Sequence, residues 1–150
     1  MLLIAHRGLT NGPNPTLENF PDQIEYAIKS GYQCEIDLWR LYDQIYLGHD
    51  EPHHRISLDF LYDKASLLWI HAKNVEALEW LTSTNLNYFW HEKDAYTLTS
   101  HGVIWAYPKS KLTSKSVCVM PEKFMKLEKC AKLECYAICS DYVDKLSEIV

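Results

Sequence analysis

The sequence predicts an α/β fold built round a mainly parallel sheet. Three observations carry this reading: short runs dense in β-branched and aromatic residues, helical patterns lying between them, and polar groups gathered at the ends of the runs. With 150 residues and 47% apolar content, the chain is sized for one domain, 1–150, with a substantial core.

The elements follow in order. "LLIAH" is the first strand. "LENFPDQIEYAIKSG" is a helix, with Phe20, Ile24, Ala27 and Ile28 at helical spacing and Gly31 placed to end it. "QCEIDLWRL" and "QIYLGH" are strands, and Ser57–Lys64 has room for a turn or two of helix. "SLLWIHAK" is another strand. The helix "NVEALEWLTST" carries Val75, Leu78 and Leu81 on one side and Asn74 as its N-cap. "NYFWHE", "GVIWAY" and "SVCVM" are strands, with a short helical turn expected over Tyr96–His101. "PEKFMKLEKCAKLE" is a helix with Pro121 near its start, and "YAICSDY" is the last strand.

A net charge of −5 excludes nucleic-acid binding through a broad basic face. No apolar run is long enough for a bilayer, so no membrane insertion is expected. Met1–Ala5 precedes the first charge without a basic region ahead of it, so a secretory leader is not expected. The five cysteines are odd in number and form no CxxC pair. Reduced, buried thiols and a cytoplasmic location are the expectation.

The candidate chemistry sits at strand ends. Residues two apart on a strand share a face, so Glu35 and Asp37 point the same way. Two carboxylates held together in an apolar strand repel each other and lose hydration, a penalty that a divalent cation removes. Mg²⁺ and Ca²⁺ prefer such oxygen donors. His71 and Lys73 repeat the spacing on a later strand, and "GHD" puts His49 beside Asp50, which can orient it. "WHEKD" adds His91 and Glu92 to the polar rim. Trp69 shares a face with His71, and Trp105 with Tyr107; these aromatics either pack the core or wall a pocket.

"IAHRG", "LENF", "CEIDLW" and "GHD", in that order, resemble the glycerophosphodiester phosphodiesterases of the phospholipase-C-like superfamily. The match is good up to about Asp50; later, "AICSDYVDKL" is similar to that family's last barrel strand. The resemblance implies a compact (β/α) TIM-type barrel of seven to eight mainly parallel strands and a divalent metal held by Glu35 and Asp37. It implies His6 and His49 as the acid/base pair, Arg7 and Lys73 on the phosphate, and Glu18 as a supporting acid on the first helix. Where the family has a third carboxylate ligand, this chain has His71. As a ligand, His71 tilts the choice of metal toward Mn²⁺ or Zn²⁺; otherwise it contacts substrate or packs, and His91 or Glu92 could supply the ligand.

A (β/α)₈ barrel typically takes about 250 residues, so outer helices must be shortened or missing. Strand faces left bare would favour a homodimer. The activity these features imply is metal-dependent hydrolysis of a small glycerophosphodiester-like or polyol-phosphate diester. Two alternatives stand beside it: a lyase or transferase stopping at a cyclic phosphate, and a non-catalytic phosphate- or sugar-binding domain.

Overall fold

The computed structural model describes residues 1–150. Its strands are β1 (Leu2–Ala5), β2 (Gln33–Leu41), β3 (Gln44–Leu47), β4 (His54–Ile56), β5 (Leu68–Ala72), β6 (Tyr88–Phe89), β7 (Tyr96–Leu98), β8 (Ile104–Ala106), β9 (Ser116–Val119) and β10 (Ala137–Ser140). Its helices are α1 (Pro21–Lys29), α2 (Leu58–Tyr62), α3 (Val75–Leu81), α4 (Leu127–Cys130) and α5 (Val143–Ser147). No helix is long and apolar enough to cross a membrane.

The strands form one curved sheet of 10 strands. Its parallel part runs β6-β5-β2-β1-β10-β9-β8. Antiparallel pairings add β3 to β2, β4 to β3 and β7 to β8. Cys34 pairs with both Ala5 and Leu68, and Leu38 with both Ala72 and Leu47. β1 and β3 therefore share one edge of the long strand β2, and β5 takes the other.

The sheet is an open half-barrel of mixed direction, which corrects the expectation of a closed, mainly parallel TIM-type barrel. The chain is too short for eight strand–helix units. It spends Tyr96–Leu98, expected as a helical turn, on a strand antiparallel to β8. The ladders thus end at β6 and β7, and no strand pairing joins those ends. Single hydrogen bonds cross between them: Ser100 N–H donates to the Tyr88 carbonyl, and the Thr97 hydroxyl to that of Trp90.

Alternation along the strands sorts the core into two layers. Leu3, Ala5, Cys34, Ile36, Leu38, Leu68, Ile70 and Ile138 face the helices and pack with Ile24, Ala27, Leu81 and Leu146. Ile4, Trp69, Phe89, Trp105, Val117, Ala137 and Cys139 fill the concave side. The helices are short. Pro21 occupies the first turn of α1, so the segment carrying Glu18 is a turn ahead of it and not helical. The helix expected over 121–134 is reduced to a 3-10 turn, Pro121–Lys123, and the single-turn α4. All five cysteines are free, and four of them are buried.

Candidate functional site

The concave side of β2 carries Glu35 and Asp37, 3% and 1% exposed. Their neighbours Cys34, Ile36 and Leu38 occupy the helix side, so the two acids have no route to solvent except through the concavity. Parallel pairing with β5 sets His71 directly beside Asp37. One ligand atom from each of Glu35, Asp37 and His71 lies within 4.8 Å of the others. Bonds from a divalent cation to such donors are about 2.1 Å, so a single ion reaches all three with small side-chain adjustments.

The other groups arrive from neighbouring strand ends. His6 follows β1 and Asp141 follows β10, and the pairing of Ala5 with Ser140 brings them together. His6 Nδ1 lies 2.7 Å from Asp141 Oδ1, leaving Nε2 4.0 Å from Glu35. Arg7 adopts a left-handed backbone, φ 52, and Gly8 after it has φ 78. A Cβ at Gly8 would sit 3.0 Å from the Ile24 side chain, so glycine is required there. The strain at Arg7 is held by its N–H, which donates to Glu35 Oε2 at 3.0 Å, and by its guanidinium, which donates to Glu18 at 2.8 Å. Arg7 Nε lies 3.2 Å from Asp37 Oδ2, and Lys73 Nζ 3.6 Å from Asp37 Oδ1.

Asn19, fully buried with φ 57, clamps Asp37. Its amide donates to Asp37 Oδ2 at 2.8 Å, and its carbonyl oxygen accepts from the Asp37 N–H at 2.9 Å. Asp37 Oδ1 has no such partner. His71 Nδ1 stands 3.1 Å away without forming a hydrogen bond and Lys73 Nζ is beyond reach at 3.6 Å, so this buried oxygen is unsatisfied.

Electrostatics divide the two acids. Burial alone would raise the Asp37 carboxyl, but His71, Arg7 and Lys73 together hold it well below the usual carboxylate range. Glu35 is pushed up, by burial first and then by the charge of Asp37. The histidines diverge as well. Burial draws His6 down, yet its hydrogen bond to Asp141 and the charge of Glu35 outweigh that and raise it. His49 is lowered, by burial and by the nearby positive charge of Arg7.

A cavity of about 680 Å³ is lined by His6, Arg7, Glu18, Glu35, Asp37, His49, His71 and Lys73. The volume suits a drug-sized ligand. His91, Glu92, Trp105 and Tyr107 also line the cavity. Asp50 and Trp69 lie outside the lining. Asp50 is a surface residue whose carboxylate meets His49 Nδ1 at 2.8 Å. Trp69 belongs to the concave core, where its indole N–H donates to Gln33. The His91 ring is buried against Tyr107 with neither nitrogen bonded.

Asn19, Asp141 and Glu122 support the site from outside the strand-face pattern that marks the other candidates. Glu122 accepts the backbone N–H of Asp141. Asn19 stands in the quoted "LENF", and Asp141 at the end of "AICSD" beside the first strand; these were the available signals. Compared with protein-family models, with curated proteins and with solved structures, the chain matches none.

Proposed function

We propose that this chain is a metal-dependent phosphodiesterase acting on a small glycerophosphodiester-like or polyol-phosphate diester. The observation that carries this reading is the meeting, in one cavity, of a buried carboxylate pair, two histidines from different strand ends and two cationic side chains. A divalent cation, when bound, supplies Lewis-acid polarisation of a phosphoryl oxygen. Glu35 and Asp37 are the anionic donors that would hold it, and the unsatisfied buried oxygen of Asp37 fits that role.

Arg7 and Lys73 flank the carboxylates and offer N–H donors to the diester's charge. His6, anchored through Nδ1 on Asp141 and raised in pKa, keeps its proton and presents Nε2 to the leaving oxygen as general acid. His49, lowered in pKa and half exposed, is neutral and takes the proton from the nucleophile. That nucleophile is water or a neighbouring hydroxyl of the substrate; a tethered hydroxyl gains from proximity.

Hydrolysis of bis(p-nitrophenyl) phosphate across a panel of divalent cations tests the reading. Turnover is expected to require a cation and to fall about a hundredfold or more in Glu35→Ala and in His49→Ala. Turnover that ignores the cation, or survives both substitutions, would overturn it.

A further inference from the structure

The orientation of His71 says which cation the site takes. Its Nε2 lies 2.9 Å from the backbone carbonyl of His91. A carbonyl only accepts, so Nε2 carries a proton. The ring is held there by stacking on Phe89, with centroids 5.1 Å apart and planes at 12°. In the neutral imidazole, the lone pair is then on Nδ1. That nitrogen faces Asp37 Oδ1 at 3.1 Å and Glu35 Oε1 at 4.0 Å.

Two carboxylates facing Nδ1 call for a positive charge there, either a second ring proton, as in the lowering of Asp37, or a cation in its place. Asp37 is 1% exposed, and its Oδ1 lacks a hydrogen-bond donor. Three donors thus converge on one point, and one of them is nitrogen. Histidines that bind metals commonly donate the other ring N–H to a carbonyl or carboxylate, which fixes tautomer and aim. The His91 carbonyl plays that part here.

We propose that His71 Nδ1 is a metal ligand alongside Glu35 and Asp37, and that this mixed nitrogen–oxygen set makes the centre selective for borderline cations of the Zn²⁺, Co²⁺ and Mn²⁺ kind over Mg²⁺ and Ca²⁺. The inference rests on the metal-binding reading of the site and names the class of metal. Mg²⁺ and Ca²⁺ favour all-oxygen surroundings, whereas an imidazole suits the later transition ions.

Calorimetric titration of the chelator-stripped protein with Zn²⁺, Co²⁺, Mn²⁺, Mg²⁺ and Ca²⁺ tests it without reference to activity. One strong site is expected, tightening in the order Mn²⁺, Co²⁺, Zn²⁺ and at least about tenfold weaker for Mg²⁺. His71→Glu should narrow the ratio of Zn²⁺ to Mg²⁺ affinity by about tenfold or more. An unchanged ratio in folded His71→Glu would overturn the proposal while leaving a carboxylate metal site standing. No cation binding at all, or binding indifferent to Asp37→Asn, would instead defeat the metal site itself. Should His71→Glu fail to fold, nitrogen NMR of the wild-type histidines decides. Zn²⁺ should shift His71 Nδ1 strongly with Nε2 still protonated; an unmoved Nδ1 overturns the proposal.

Discussion

Glu35 sits 3% exposed beside a second carboxylate, and without a cation its charge works against folding. Its folded pKa is raised, so the stability tied to it is present while the carboxyl is protonated. That stability is lost as pH rises from the ordinary glutamate value through the raised one. At neutral pH, Glu35→Gln should therefore stabilise the cation-free protein by roughly 1 kcal/mol in urea denaturation. The amide oxygen can still accept the Arg7 N–H. The same variant should lose the rise in melting temperature that a divalent cation gives the wild type. A destabilised Glu35→Gln, or one that keeps the cation-induced rise, contradicts this. Asp37 has the opposite sign: its lowered pKa gives stability above the ordinary aspartate value, lost as pH falls through the lowered one. The two histidines predict a bell-shaped pH profile of kcat/KM. Its acid limb is the deprotonation of His49 and its alkaline limb that of His6. Asp141→Asn weakens the hold on the His6 proton and should move the alkaline limb alone to lower pH. Movement of the acid limb instead would reverse the assigned roles.

At the scale of elements, the site depends on where strands and turns end. The turn carrying Asn19 crosses from the end of β1 to α1 and ties Asp37 down by two hydrogen bonds, while the Asn19 N–H donates to the Arg7 carbonyl. Asn19→Ala leaves those buried groups without partners and should cost about 2 kcal/mol or more. Cation affinity should fall with it, because Asp37 loses its clamp; a change within about 0.5 kcal/mol and an unaltered affinity would show the clamp to be idle. The neighbours on β2 and β5 were legible because alternation is a local property. Glu35 and Asp37 are two residues apart on β2, Lys73 follows His71 by two residues just past the end of β5, and the adjacent parallel pairing brings the couples together. Asn19 and Asp141 were harder to read, since their roles come from which strand ends meet. Tyr96–Leu98 departs from the expected helical turn for a different reason: a segment so short carries no usable periodicity, and pairing with β8 decides its state.

For the molecule as a whole, the open side of the half-barrel is the structural problem to be solved. Trp105 stacks on Phe89 with centroids 4.5 Å apart and lies 5.9 Å from Trp69. These rings, from β5, β6 and β8, pack together on the concave side, and Trp105 also lines the cavity. Trp105→Ala should cost about 3–5 kcal/mol, a large part of the roughly 5–15 kcal/mol that holds a domain together. A loss below about 1 kcal/mol would mean that these rings do not brace the open side. Closure was not legible because it is a property of the whole sheet. The run of strands and helices resembled a barrel, and only the chain's length argued against a complete one. Phosphorus NMR of a glycerophosphodiester incubated with the cation-loaded protein tests the central claim most directly. A monoester or cyclic phosphate resonance should grow with time and be absent with Glu35→Ala and with His49→Ala. A spectrum that stays that of the intact diester, with cation bound at the site, would contradict the assignment.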